Sequence, residues 1–185
     1  MITLAVGCMA FGRLYQVVRL LTGGSIIDEF QLGILGVIGS LMFFFSANFG
    51  AMDSLADDGS KQFLKYRLIS LAAPVTLAVI YLAFILFGEA SVLAKITGAV
   101  ITVFAMQASY YNLKHLIFPD VDFGVIRCLK TYNLLALLYS LACVAEAVAI
   151  SRSSETATFI ICIITGLIVI NIVPTAARGM KKWTI

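Results

Sequence analysis

The sequence predicts an all-α, polytopic integral membrane protein, with about six transmembrane helices in one compact bundle that forms a single domain over residues 1–185. Three observations predict it. The chain is 61% hydrophobic and 12% charged, with a mean hydropathy of +1.02, against roughly 45–50% apolar and about 25% charged residues in a soluble domain. Its apolar residues fall into six long runs separated by small or polar connections. Its lysines and arginines gather on alternate connections, the asymmetry that orients polytopic proteins. At roughly 20 residues per span, six spans take about 120 residues. That excludes a sizeable extramembrane domain.

Taken in order, spans are expected near 2–22, 31–52, 67–88, 92–117, 131–151 and 157–177. The first carries no charge before Arg13, the reverse of a signal peptide's basic start, so it reads as a retained helix. The second carries Gly33, Gly36 and Gly39, followed by Ser40, a smooth ridge that suits close approach of a neighbouring helix or of another subunit. Pro74 in the third and Pro174 in the sixth free carbonyls and predict kinks. Short turns follow spans one, three and five: Thr22-Gly23-Gly24-Ser25, Gly88-Glu89-Ala90-Ser91 and Ser151-Arg152-Ser153-Ser154-Glu155. The other two connections, Asp53 to Tyr66 and Phe118 to Lys130, are longer and charged. Displaced by 65 residues, Asp57, Gly59, Leu64 and Lys65 meet Asp122, Gly124, Leu129 and Lys130. This echo hints at a parallel repeat of two helical hairpins.

Orientation follows from charge. Lys61, Lys65, Arg67, Lys114, Arg127, Lys130, Arg178, Lys181 and Lys182 lie on the side of the long loops and C-terminus, against Lys95 and Arg152 on the other. The long loops and both termini are therefore expected in the cytoplasm, with Trp183 as an interfacial anchor. The first span departs from the rule, since Arg13 and Arg19 lie towards its middle and outer end. A re-entrant first segment is the alternative.

Polar side chains inside apolar runs are the candidate functional residues, because each costs several kcal/mol in hydrocarbon unless it finds a partner or water. Arg13, Gln16 and Arg19 recur every three residues, one slanted stripe beside Tyr15. Glu146, near the outer end of the fifth span, is their natural acidic partner. Read as a site, Arg13, Gln16, Arg19, Tyr81 and Glu146 bind a ligand in the outer half of the membrane, with Tyr81, Phe84 and Phe87 as an aromatic wall. Read as structure, Arg19 snorkels to the headgroups and Arg13 pairs with a buried acid. Two arginines are too few for a voltage sensor. Asn48, Gln107, Asn112 and Asn171, with Asn133 at similar depth, read as an inner gate or as hydrogen-bonded glue between helices.

Several chemistries are excluded. Cys8, Cys128, Cys143 and Cys162 are widely spaced, with no C-x-x-C pair, and His115 is the single histidine, so neither a zinc site nor bis-histidine haem is expected. No nucleotide-binding or zinc-protease motif occurs, and no cofactor is expected. A net charge of +3 indicates no nucleic-acid surface. Asp53, Asp57 and Asp58 fit a hydrated turn better than a divalent-metal site.

The leading expectation is thus a small binding or transport component, rather than an enzyme, that takes a small polar or anionic molecule from the outer side with a partner subunit or coupling ion. In size and predicted topology the chain is similar to the substrate-binding subunits of energy-coupling-factor vitamin transporters, a likeness of outline. Two alternatives stand beside it. One is a regulatory, sensory or assembly subunit acting through loops 53–66 and 118–130; the other is a metal-dependent enzyme on lipid-linked substrates that uses the three aspartates. Expected partners are membrane lipids and another subunit or a second copy.

Overall fold

The computed structural model describes residues 1–26, 32–53, 57–119 and 125–183. Among them there is no strand, and six helices are long and apolar enough to cross a membrane. These are α1 (Ile2–Leu21), α2 (Leu32–Ser46), α3 (Lys61–Leu86), α4 (Val92–Ile117), α5 (Val125–Ser151) and α6 (Glu155–Trp183). The helices outrun the apolar stretches at several ends, because the flanking Lys61-Gln62-Phe63, Arg127 and Lys181-Lys182 favour helix once the apolar face is docked. The Trp183 side chain, Asp120, Asp122 and Gly124 lie outside the described residues. Of the remaining echo, Leu64 is exposed whereas Leu129 is buried, so these two do not occupy equivalent environments.

Two helices finish in π-helical turns: Ala47–Asp53 continues α2, and Leu82–Leu86 ends α3. Helix α3 is also interrupted at Leu71, whose N–H turns back to the Leu68 carbonyl at 3.2 Å. Pro74, three residues on, has no N–H to continue the ladder there. Pro174, by contrast, sits inside an unbroken α6.

The bundle has a turn end, with Gly23, Gly88 and Ser153, and a long-loop end, with Gly59 and Phe118. Helix α5 is the central element, packing on α4 and α6 along most of its length and touching α2 and α3. It delivers the largest share of the core: Tyr132, Ala136, Tyr139, Cys143 and Val144 are all essentially inaccessible. Phe44 of α2 meets Tyr139 edge-on at 5.4 Å, and the Tyr139 hydroxyl bonds Ser40 and donates to Met9 Sδ at 3.2 Å. One residue on α5 thereby registers α1 and α2.

The glycine ridge of α2 is filled from within the chain. A Cβ on Gly36 would stand 2.6 Å from the Cys8 carbonyl oxygen and 2.7 Å from Gly12 Cα, while one on Gly12 would stand 2.8 Å from the Gly33 oxygen. Gly33 and Gly39 face the Gln16 and Cys8 side chains. Helices α1 and α2 therefore touch backbone to backbone, the contact small residues allow. Gly36→Val is expected to destabilise the protein by about 1–3 kcal/mol, as overpacking against immovable backbone does. Gly166→Ala, where an added Cβ meets nothing within 4 Å, should be neutral or mildly stabilising. Thermal unfolding of both variants in one detergent checks the contrast.

Candidate functional site

The polar stripe of α1 meets α5 and α6 at a single cluster. Arg13 extends from α1 and grips Glu146 of α5 with both prongs: Nη1 donates to Oε1 at 2.6 Å and Nη2 to Oε2 at 2.5 Å. The same guanidinium donates to Gln16 Oε1 at 2.6 Å, to Thr165 Oγ1 at 2.8 Å and to Cys162 Sγ at 3.0 Å. The planar fork of arginine suits this two-pronged grip, which a lysine would not reproduce. Glu146 is 2% exposed and Gln16 4%, while the Arg13 side chain keeps 16% of its surface accessible, so the acid is buried and the arginine largely so.

Local sequence explains the convergence. Thr158, Thr165, Val169, Ile172 and Ala176 are the buried stripe of α6, and Cys162 falls on the same stripe. Its small polar members therefore face the bundle. On α5 Glu146 stands between the buried Cys143 and Ala147, also facing inward. At 1.5 Å per residue, Glu146 lies about 8 Å and Thr165 about 15 Å from the turn end of its helix. Two N–H donors remain without a partner in the cluster, Arg13 Nε and Gln16 Nε2.

Of the residues singled out from sequence, Arg13, Gln16 and Glu146 come together; Arg19 and Tyr81 do not join them. Arg19 lies against the turn, its side chain within 3.4 Å of where a Cβ on Gly24 would sit. Tyr81 donates its hydroxyl to the Lys95 carbonyl at 3.2 Å. Glu146 therefore pairs with Arg13, the arginine deeper in the helix. Cys162 and Thr165 escaped the sequence reading, although threonine and cysteine at helical spacing on an apolar helix were a usable signal. Phe84 and Phe87 wall a cleft of about 500 Å³ at the turn end, together with Glu89 and Arg152, whose guanidinium lies 5.5 Å from the Phe84 ring centre.

The amides divide. Asn48 and Asn112 hydrogen-bond each other, both fully buried, at the long-loop end of α2 and α4. Asn133 is buried but donates to its own helix, to the Leu129 carbonyl at 3.1 Å. Gln107 and Asn171 are exposed on the outer face of the bundle. These five amides do not converge on one passage.

At the long-loop end the aspartates meet cations. Lys114 Nζ lies 2.6 Å from both Asp53 Oδ1 and Asp57 Oδ2, and His115 Nε2 is 3.2 Å from Asp53 Oδ1. Arg67 donates from Nε to Asp57 Oδ2 at 2.7 Å and from Nη2 to Oδ1 at 2.5 Å, while the Gly59 N–H also reaches Oδ1 at 3.0 Å. Hydrogen bonds from Arg67, outweighing the cost of burial, hold the Asp57 carboxyl well below the ordinary carboxylate range. Burial raises Asp53, but bonds from His115 and Lys114 outweigh it and bring it below its usual value. The carboxylates are neutralised by side chains of the same chain, and the described residues hold no His, Cys, Asp or Glu cluster suited to a metal ion.

Comparison with protein-family models, with curated proteins and with solved structures gives no match.

Two predictions follow from these clusters. Removing one partner of the buried pair, in Arg13→Met or Glu146→Leu, should cost about 3–5 kcal/mol. The double variant should recover most of that loss, a strong non-additivity read by a double-mutant cycle of unfolding in detergent. For Asp53 and Asp57, folded values below the unfolded ones mean that their stabilisation is complete above about pH 5 and is lost progressively as pH falls through the unfolded and then the folded values. Asp57→Asn should flatten the fall in melting temperature between about pH 5 and pH 2.

Proposed function

We propose that the chain is a multi-pass membrane protein acting as a small binding and transport component, with the turn end outside and the long loops and both termini in the cytoplasm. Its ligand is a small anion, taken from the outer side and held by the Arg13 guanidinium. The observation that carries this reading is the buried Arg13–Glu146 grip with Arg13 Nε and Gln16 Nε2 left without acceptors beside it. A buried ion pair is seldom the most stable filling of an apolar space. Here it keeps a cation inside the bundle, pre-shaped for a carboxylate or phosphate, with Glu146 holding the place of the ligand. The cleft with Phe84, Phe87, Glu89 and Arg152 opens at the same end and offers an approach.

Charge balance asks for a coupling cation. With Glu146 ionised the cluster is neutral, and a second anion would leave an uncompensated charge in a low dielectric. A cation taken up together with the anion restores neutrality. The groups facing Glu146 are Arg13 from α1 and Cys162 from α6, with Cys143 on the helix of Glu146 itself.

Two features that would support the alternatives are used inside the chain. The glycine ridge meant for a partner subunit is covered by α1. Of the acids in the 53–66 loop, Asp53 and Asp57 are bonded to Lys114, His115 and Arg67, while Asp58 stays exposed.

Native mass spectrometry of the protein released gently from its own membrane tests the reading. A non-lipid anion should be retained by the wild type and lost from Arg13→Gln. It should be held on the order of tenfold more tightly by Glu146→Gln, which removes the competing charge. Equal behaviour of the two variants, or no such mass in either wild type or Glu146→Gln, overturns the proposal.

A further inference from the structure

Helix α4 is covered on most sides by α2, α3 and α5. Its exposed residues between Val92 and Ile117 are Val92, Leu93, Ile96, Val100, Val103 and Gln107. From Leu93 onward they are spaced three, four, three and four residues apart. This is the narrow seam by which two helices pack side by side in a left-handed pair. The apolar members are 37–57% exposed, so the whole seam is accessible along one line.

Gln107 is the irregular member. It stands ten residues before the end of α4 at Ile117, about 15 Å along the helix, which places it inside a hydrocarbon layer roughly 30 Å thick. Other exposed polar side chains at mid-span satisfy their donors within their own helices: Asn171 Nδ2 donates to the Leu167 carbonyl at 2.8 Å, and Thr76 Oγ1 to the Ala72 carbonyl at 2.8 Å. Gln107 has no partner among the described residues. An unpaired primary amide facing lipid is costly.

We infer that α4 pairs with α4 of a second copy of this chain through Leu93, Ile96, Val100, Val103 and Gln107, with the two Gln107 amides hydrogen-bonded across a two-fold axis along the membrane normal. The inference rests on the multi-pass part of the proposed function and is independent of the ligand site. A second copy fits because all copies inserted by the same topology rule share one orientation. Two α4 helices then meet parallel, with every residue at the depth of its own counterpart. The amide carries a donor and an acceptor, so it complements itself in a symmetric contact. A different partner would need an amide at that same depth.

The test uses the full chain. Oxidative cross-linking in its native membrane should convert Val103→Cys to a species of twice the 20.0 kDa chain mass. The wild type, with its native cysteines, and Val79→Cys, on the exposed face of α3, should not give it. In phosphatidylcholine vesicles, dilution monitored by energy transfer should show Gln107→Leu associating about threefold to tenfold more weakly. Gln107→Asn should keep most of the association. Gln107 is exposed, so unchanged melting in detergent separates lost pairing from lost folding. No cross-link beyond the wild type, a cross-linked species of another mass, or undiminished association of Gln107→Leu overturns the inference. Ligand retention by the wild type with no dimer overturns the inference alone; dimer with no ligand leaves it standing and counts against the anion site.

Discussion

A guanidinium and a carboxylate brought together inside an apolar bundle constrain more of this structure than any other contact. Helix α1 presents Leu4, Phe11, Leu14, Val17, Val18 and Leu21 outward, and its buried residues are few. Apolar pattern alone would leave its rotation about its axis weakly determined. Arg13 removes that freedom, because a charge in hydrocarbon must find its partner. Once Arg13 faces Glu146, the following turn places Gln16 over Gly33, and the preceding one places Gly12 and Cys8 against Gly36 and Gly39. The ion pair and the glycine contact lie on adjoining faces of α1 and specify one another.

The polar groups of the interior are sorted by depth in a way the same physics explains. Charged clusters occupy the two ends: Arg13 with Glu146 towards the turns, and Lys114, Arg67 and His115 with Asp53 and Asp57 at the long loops. Between them the polar contacts are neutral, as in the Ser40, Tyr139 and Met9 chain. Neutral hydrogen bonds cost less to desolvate than ion pairs, so the driest part of the bundle keeps the cheaper groups. The π-helical run at the end of α2 belongs to this arrangement. It carries both Asn48, bonded to Asn112, and Asp53, bonded to Lys114 and His115, so one widened helical segment serves two contacts with α4.

How much of this was legible in the sequence depends on which physical quantity each residue reports. Length and hydropathy report helices, and the six apolar runs foretold the six helices, because a backbone in lipid has almost no alternative. The rarity of ionised groups in such runs made Arg13 and Glu146 visible. Rotation about each helix axis was not legible, because these helices are apolar on their exposed side as well as on the core side. Gln107 and Asn112 look alike in sequence, yet one faces outward and the other lies fully buried. Spacing groups Arg19 with Arg13, and Tyr81 enters with Phe84 and Phe87 as an aromatic wall; Arg19 lies instead against the Gly24 turn and Tyr81 on the Lys95 carbonyl. Asp53 looks like part of a hydrated turn in sequence because its partners, Lys114 and His115, lie some sixty residues away on α4.

The interior pair and the exposed amide of α4 differ in how their polarity is met. Both are polar groups where hydrocarbon penalises them, and the size of the penalty sets how each is resolved. An ionised arginine costs enough that the chain itself supplies Glu146, Thr165, Gln16 and Cys162 from three helices. An uncharged glutamine costs less, so a single chain can fold with Gln107 unpaired and leave its satisfaction to association. A strong demand is thus met during folding and a weak one after it. That order keeps the fold of one copy independent of the concentration of the next, while leaving the outer face of α4 with a reason to find it.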